Sequence, residues 1–210
     1  MFSAEYLLLF TLAAIALGAS PGPSNLYVLG RTAAQGTVAG VVSSLGLAAG
    51  GMVHALAAAF GLSALFVHSP AAFAAVKFAG AAYLAYLGLR LILAREAGDL
   101  ALGGPARRGT RRLFVEGAMT EVLNPKTALF FIAFLPQFVD PVAGPVWLQM
   151  LVLGAIVPVA MLPCDLIVAL TGGALAGRLA RSAGLRRALN RVSGSVLIGL
   201  GLRVALEEGR

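Results

Sequence analysis

The chain has 210 residues, of which 59% are hydrophobic and 12% are charged, and its mean hydropathy is +0.89. A soluble domain of this length does not need so much apolar surface, so we predict an all-α, polytopic membrane protein that forms one domain over residues 1–210. The formal net charge of +7 could suggest nucleic-acid binding. The basic residues lie at the ends of apolar segments, however, so no nucleic-acid partner is expected.

The cysteine content and the N-terminal segment each argue against one further feature. The single cysteine, Cys164, excludes an intramolecular disulfide and dithiol redox chemistry. The N-terminal segment carries Glu5 and no basic residue before its apolar run, which argues against a cleaved signal peptide.

Six apolar segments follow one another, and each is long enough to cross a hydrocarbon core of about 30 Å at about 1.5 Å per residue. They run from about Tyr6 to Gly30, Val38 to Val67, Ala71 to Ala94, Leu113 to Val139, Val146 to Leu170 and Val192 to Leu206. We therefore expect six transmembrane helices, numbered in this order.

Prolines interrupt the first and the fourth segment, at Ser20-Pro21-Gly22-Pro23 and at Asn124-Pro125-Lys126. A proline has no N–H and so removes one backbone hydrogen bond from a helix. An unpaired carbonyl is costly in hydrocarbon, so such breaks survive only where protein or a wet cavity covers them. Paired interruptions in the two halves of a membrane protein indicate the substrate site of a transporter.

Each break offers polar backbone groups of both kinds. The carbonyls of Leu17, Ala19 and Glu121 lose their usual donors to proline, and freed carbonyls attract cations. Beyond each break a new half-helix begins, and its first N–H groups lack acceptors and attract anions. A gap with both kinds of group suits a zwitterion, with the carboxylate toward the N–H groups and the ammonium toward the carbonyls. The alternative is that the breaks are kinks that only shape helix packing. The expected substrate-binding residues are Pro21, Gly22, Pro23, Ser24, Asn25, Asn124, Pro125 and Lys126.

The distribution of arginine predicts the orientation in the membrane. The second and fourth connections, 68–70 and 140–145, hold no Lys or Arg, whereas the odd-numbered connections are basic. By the positive-inside rule, the odd-numbered connections are cytoplasmic and both termini lie outside. Residues 95–112 then form a basic cytoplasmic connection, which is typical of contacts with membrane lipids. Glu116 follows Arg112 by one helical turn and is expected at this interface.

Short sequence matches indicate two related halves. Leu87-Gly88-Leu89-Arg90 in the third helix recurs as Leu200-Gly201-Leu202-Arg203 in the sixth, and residues 59–65 have a looser echo in 169–175. A repeat of three helices has an odd number of crossings, so tandem copies are inserted upside down relative to each other. We therefore predict two inverted three-helix repeats, about 1–95 and about 112–210, whose half-helix starts converge on one central site.

Ionisable residues inside the predicted spans are candidates for proton coupling. A charge at the bilayer centre costs about 2.5–3.5 kcal/mol on insertion scales and usually faces the bundle interior or a water path. Asp165 is the leading candidate for a proton-titrating or ammonium-binding carboxylate, and the alternative is a structural partner for Lys126. Glu121 is the second candidate. His54 is able to relay protons, but a histidine that only packs in the bundle is the favoured interpretation.

Motif residues in four of the segments resemble a known family almost end to end. They are Pro21, Gly22, Pro23, Gly46, Gly50, Gly61, Lys77, Gly80, Tyr83, Leu84, Gly88, Arg90, Gly117, Asn124, Pro125, Lys126, Phe130, Phe131, Pro136, Gln137 and Phe138. On these residues the chain resembles the LysE/RhtB family of bacterial amino-acid exporters. The set in the fourth helix is the most specific part of the resemblance.

The resemblance implies an exporter of the bacterial inner membrane for amino acids or close derivatives, driven by the proton gradient. Threonine, homoserine, homoserine lactone, leucine, lysine and arginine are the substrates associated with such proteins. Asp165 stands at an acidic position often seen in the fifth helix of the family, whereas Glu121 has no counterpart in the family pattern. The expected partners are an amino-acid substrate, protons and membrane lipids, without a cofactor or a metal, and a homodimer is left open.

Other function classes need residues that this chain mostly lacks. An intramembrane enzyme or redox carrier needs paired cysteines, clustered histidines or a metal-ligand set, and one Cys with two separated His argues against it. The chain has no phosphate-binding loop of the Walker type, so it is not expected to use ATP by itself. A small-cation or metal exporter is kept as the alternative, although only Glu121 and Asp165 lie deep and Lys126 would repel a cation. We therefore expect a secondary-active exporter and no enzyme.

Overall fold

The computed structural model describes residues 2–20, 22–64, 69–93 and 107–182, together with isolated positions between 184 and 202. In that part of the chain the structure is helical and contains no strand. Its α-helices are α1 (Ala4–Ala19), α2 (Pro23–Gln35), α3 (Thr37–Ala57), α4 (Pro70–Leu93), α5 (Thr110–Val122), α6 (Pro125–Ala133) and α7 (Val146–Arg181). A π-helical turn, Ala58–Leu62, continues α3, and a 3-10 turn, Leu135–Phe138, follows α6.

Two of the described helices are long and apolar enough to cross a membrane, namely Thr37–Leu62 and Val146–Gly172. Two bent pairs, α1 with α2 and α5 with α6, would each supply one further span. Helix α4 lies where the third transmembrane helix is predicted. The predicted sixth helix, Val192 to Leu206, lies outside the described residues except for isolated positions. The six-helix count and the inverted repeats therefore stay predictions.

The first break lies where the prolines place it. Helix α1 ends at Ala19, and α2 begins at Pro23, at a bend of 52°. Proline suits the first position of a helix because its missing N–H would have no partner there. The N-cap residue of α2 is Gly22, which has no side chain to accept from the first N–H groups. These groups belong to Ser24 and Asn25, because they precede the first full helical turn.

At the second break a helix also ends and a new one begins at a proline, and here a side chain caps the new helix. Helix α5 ends at Val122, and α6 begins at Pro125, at a bend of 49°. Asn124 is the N-cap residue, and its Oδ1 accepts a hydrogen bond of 3.1 Å from the backbone N–H of Lys126. Both predicted breaks, in the first and the fourth segment, are therefore confirmed.

Some helices extend beyond their predicted ends. Helix α2 runs past Gly30 to Gln35, and α7 runs past Leu170 to Arg181. The prediction followed apolar content, which marks only the part of a helix that lies in hydrocarbon. Backbone hydrogen bonding continues into polar sequence, so the helices are longer than their apolar segments.

Four aromatic rings join α1 to α6 and to the 3-10 turn that follows it. Phe10 of α1 packs against Phe130, Phe134 and Phe138, with ring centroids 5.0–6.1 Å apart. Phe10, Phe130 and Phe134 are fully buried. Burial of large aromatic side chains contributes strongly to packing. This cluster fixes α1 against α6 on one side of the two breaks.

Glycines let α3 and α5 approach each other at backbone distance. A Cβ placed on Gly50 would lie 2.8 Å from Cβ of Glu121, and one on Gly117 would lie 2.6 Å from the carbonyl oxygen of Ser43. Both distances are far inside van der Waals contact. Small residues at helix interfaces allow such close packing in membranes. The close approach brings α3 against the end of α5, where the second break begins.

The close packing of α3 on α5 predicts that two Gly→Ala substitutions have opposite effects on the stability of the protein. Within a helix, Gly→Ala normally stabilises by about 1 kcal/mol. Gly117→Ala should instead destabilise the protein by about 1–3 kcal/mol, because the new methyl group must displace α3. Gly30→Ala is the matched control, since a Cβ there meets nothing within 4 Å. Thermal unfolding in detergent, followed by circular dichroism, measures the difference. Equal stability of the two variants would show that the helices are not in close contact.

Candidate functional site

The two breaks meet at a buried polar cluster, which we call the break cluster and which consists of Ser24, Glu121 and Asn124. The hydroxyl of Ser24 donates to Oε2 of Glu121. Nδ2 of Asn124 donates to Oγ of Ser24 at 2.8 Å and to Oε2 of Glu121 at 3.3 Å. All three side chains are buried. The first turn of α2 is thus bonded to the last turn of α5 and to the cap of α6.

Lys126 reaches from the second break to the first. Its side chain is only 5% exposed, and Nζ donates to the carbonyl oxygens of Leu17 at 3.0 Å and Ser20 at 2.8 Å. The Leu17 carbonyl is the one that Pro21 deprives of its usual donor. Gly22 leaves room beside it, because a Cβ there would lie 3.0 Å from Nζ. The structure therefore gives the Leu17 carbonyl a lysine partner in place of the expected substrate ammonium.

At the second break, His54 bonds the carbonyl that loses its donor to proline. Its Nε2 lies 2.9 Å from the carbonyl oxygen of Glu121, which loses its usual donor to Pro125. The backbone N–H of Asn124 also donates to this oxygen, at 3.0 Å. A ring N–H at Nε2 makes His54 the donor. Two of the three proline-freed carbonyls, those of Leu17 and Glu121, are thus bonded by an ionisable side chain from another helix.

Asp165 of α7 lies beside the break cluster without joining it. Its side chain is 4% exposed and lines a small cavity together with Glu121 and Thr127. Within the described residues, no Lys, Arg or His nitrogen lies within 4.0 Å of its carboxylate. The interpretation of Asp165 as a direct ion-pair partner of Lys126 therefore finds no support in this geometry.

The cavity beside Asp165 is very small. Its volume of about 10 Å³ is room for roughly one water molecule. Its remaining wall is apolar and includes Leu47, Val157 and Met161. An amino acid does not fit this space, so the structure is closed around the polar groups.

Thr127 is a cavity residue that sequence analysis missed. Its side chain is fully buried, and Oγ1 has no hydrogen-bond partner among the residues that the structure describes. A threonine inside an apolar half-helix looks like ordinary helical sequence. Its spacing is the signal that could have found it, because residues three apart share a helix face and Thr127 follows Asn124 by three.

The other predicted site residues have supporting positions. Nδ2 of Asn25 donates to the carbonyl oxygen of Gly18 at 2.9 Å and so bridges the first break. Pro23 and Pro125 occupy the first helical positions of α2 and α6, and both are exposed. Pro21 lies outside the described residues.

A larger cavity of about 360 Å³ lies on the other side of His54. Its described lining is mostly apolar and includes Ala58, Gly61, Phe131 and Ile132. The ring of His54 packs against Phe131, with centroids 5.5 Å apart. Since His54 contacts Glu121 and also lines this cavity, it separates the larger cavity from the break cluster.

Comparison with known proteins agrees with the motif residues. Residues 15–208 match the family model described as LysE type translocator. A homoserine/homoserine lactone efflux protein of Salmonella typhimurium is 33% identical over 205 residues, which cover 96% of each chain. A leucine efflux protein of Salmonella choleraesuis is 26% identical over 189 residues, covering 88% of this chain and 87% of the relative.

A third relative, the uncharacterized membrane protein YrhP of Bacillus subtilis, is 28% identical over 195 residues, covering 89% of this chain and 91% of that one. No solved structure matches the chain. The matches extend over nearly the whole sequence, and they confirm the resemblance carried by the proline breaks and the fourth-helix motif. The chain is a membrane protein that belongs to the LysE type translocator family.

Proposed function

We propose that the protein is a secondary-active, proton-coupled exporter of amino acids or close derivatives across the bacterial inner membrane. The observation that carries this proposal is the meeting of two broken helices at a buried polar cluster next to an unpaired carboxylate. Discontinuous helices that meet near the midplane form the substrate and ion sites of many transporters. The proposal includes the orientation with both termini outside and the two inverted repeats.

The names of the relatives indicate which chemical group the site must recognise. Homoserine and leucine have a free carboxylate, whereas homoserine lactone has none. All three have an α-amino group, which is an ammonium when protonated. A site that serves such compounds needs hydrogen-bond acceptors and negative charge. The small cavity offers both, from the carboxylates of Asp165 and Glu121 and from Oγ1 of Thr127.

Asp165 is the better of the two carboxylates for exchange. Glu121 already accepts hydrogen bonds from Ser24 and Asn124, which fix the position of its carboxyl group. Asp165 has no such partner among the described side chains. In apolar surroundings, a buried carboxylate is more stable when a proton or a cation neutralises its charge than when it is bare. One carboxylate that binds either a proton or an ammonium, but not both, couples their movements in opposite directions.

Transport requires the closed cavity to open. The cavity beside Asp165 has room for roughly one water molecule, so α1–α2 or α5–α6 must move before an amino acid can enter. The bonds from Lys126 to the carbonyls of Leu17 and Ser20 connect these two pairs. We propose that Lys126 is a positioning residue that keeps the site closed and balances the nearby carboxylates. The larger cavity beyond His54 is then the release path on the outer side.

Asp165→Asn should abolish proton-driven export, because an amide neither releases a proton nor neutralises an ammonium. We expect a fall of at least about 100-fold in proton-driven homoserine efflux, a size typical for loss of an essential proton-transfer group. The measurement is labelled homoserine efflux from proteoliposomes with and without an imposed pH gradient. Asp165→Glu should recover part of the activity, and Glu5→Gln, at an exposed position in α1, should change nothing. Full proton-driven efflux by Asp165→Asn would refute the exchange role.

Pro125→Ala should slow transport by restoring the helix. The new N–H is able to bond to the carbonyl of Glu121 and so competes with His54 for that oxygen. We expect a fall of about tenfold in turnover, equivalent to about 1.4 kcal/mol. Pro145→Ala is the control, because Pro145 is exposed and precedes α7. Wild-type turnover and substrate affinity in Pro125→Ala would mean that the break only shapes packing.

A further inference from the structure

A second charged cluster lies at the opposite end of α2 from the break cluster. Nη2 of Arg31 lies 2.6 Å from Oε2 of Glu116, and Nε of Arg112 lies 2.8 Å from its Oε1. Nη1 of Arg108 lies 3.7 Å from the same Oε1. Arg112, one helical turn before Glu116, thus pairs with it, and two further arginines share this carboxylate. The three guanidinium groups and one carboxylate leave an excess of positive charge.

Hydrogen bonds around this cluster attach α2 to the start of α5. Gln35 and Arg108 exchange two bonds, from Nε2 to the backbone oxygen at 3.0 Å and from the backbone N–H to Oε1 at 3.1 Å. The hydroxyl of Tyr27 donates to the carbonyl oxygen of Leu113 at 3.0 Å. The guanidinium of Arg31 also lies over the Tyr27 ring, 5.3 Å from its centroid. The arginines are therefore held in place by a fixed frame.

Two buried N–H groups of these arginines donate no hydrogen bond. Nη1 of Arg31 and Nε of Arg108 have no hydrogen-bond partner among the residues that the structure describes. Arg31 is only 8% exposed, so water gives it little compensation. A buried donor on a charged group is costly to leave unpaired. Both guanidinium groups contact the same Glu116 carboxylate, so the two arginines that carry these donors are neighbours.

We propose that Arg31 and Arg108 form an oxyanion-binding site and that its ligand is the α-carboxylate of the exported compound as it enters. Guanidinium groups bind carboxylate and phosphate oxygens with charge-assisted hydrogen bonds. The identity of the ligand rests on the proposed function, in which this end of α2 faces the cytoplasm. A lipid phosphate has the same oxyanion chemistry and is the other source. An oxyanion on Arg31 competes with Glu116, so its binding loosens the contact between α2 and α5.

The site separates compounds by one chemical feature. A compound with a free carboxylate gains binding energy from Arg31, whereas a lactone or an amide gains none. The oxyanion site beside Arg31 then binds the carboxylate of an amino acid as it enters, and the small cavity beside Asp165 binds its ammonium group at a later stage. Export of a compound that lacks a carboxylate needs only the small cavity beside Asp165.

A binding measurement tests the site without requiring transport. The purified protein is heated with increasing inorganic phosphate at constant ionic strength, and its melting temperature is recorded. Phosphate should raise the melting temperature of the wild type, because a ligand that binds the folded state stabilises it. Arg31→Gln and Arg31→Lys should lose at least half of that rise, and Arg31→Lys serves if Arg31→Gln does not fold. Arg111→Gln removes one charge from an exposed neighbouring position and should keep the rise. A rise of equal size in all variants, or in none, would overturn the site.

A transport measurement identifies the source of the oxyanion. In proteoliposomes of neutral lipid, Arg31→Lys should raise KM for homoserine about tenfold, the worth of one charge-assisted hydrogen bond. Its KM for homoserine lactone should stay within about twofold of the wild type. Equal changes for both compounds in neutral lipid would overturn the carboxylate as ligand. Equal changes that occur only with phosphatidylglycerol present would also overturn it, and would assign the site to a lipid headgroup. If the wild type moves neither compound, the proposed function fails, and the phosphate measurement still decides whether the oxyanion site exists.

Discussion

A carbonyl oxygen that loses its helical donor inside a membrane must find another, and this constraint organises the structure. Lys126 supplies the donor for Leu17, and His54 supplies it for Glu121. Each donor comes from a helix other than the one that is broken. Because a side chain from another helix bonds each of these two carbonyls, α1 is held to α6, and α5 is held to α3, at the points where proline removes a helical hydrogen bond.

The same bonds set the chemistry of the site. Lys126 and His54 are used to satisfy backbone oxygens, and Glu121 is bonded by Ser24 and Asn124. Asp165 lies next to these groups with no cation in contact, among the described residues. A region with most of its polar groups fixed and one carboxylate unpaired is suited to exchange of small cations. The structural requirement of the breaks thus produces the conditions for the proposed transport.

Local features were predictable from the sequence, and contacts between distant segments were not. Proline chemistry located both breaks, and helical spacing placed Arg112 and Glu116 on the same helix face. The contact of Arg31 with Glu116 joins residues 85 positions apart, so no periodicity indicates it. Lys126 was expected among the substrate-binding residues, whereas its bond to Leu17 depends on how α6 packs against α1, which the sequence does not show. The apolar segment predicted to end near Leu170 agrees with the candidate span that ends at Gly172. Helix α7 continues to Arg181, because apolar content does not mark where helical hydrogen bonding stops.

The most direct test of the account asks whether the two breaks touch each other in the membrane. In a Cys164→Ser background, Ser24→Cys and Asn124→Cys place two thiols where the native side chains lie 2.8 Å apart. Oxidation, or a short bis-methanethiosulfonate reagent, should link the pair in native membranes, as seen by mass spectrometry of the digested protein. Ser24→Cys with Val142→Cys, at a fully exposed loop position, is the control pair and should not be linked. Failure to link Ser24→Cys with Asn124→Cys, when each thiol alone is modified by the same reagent, would contradict the meeting of the breaks.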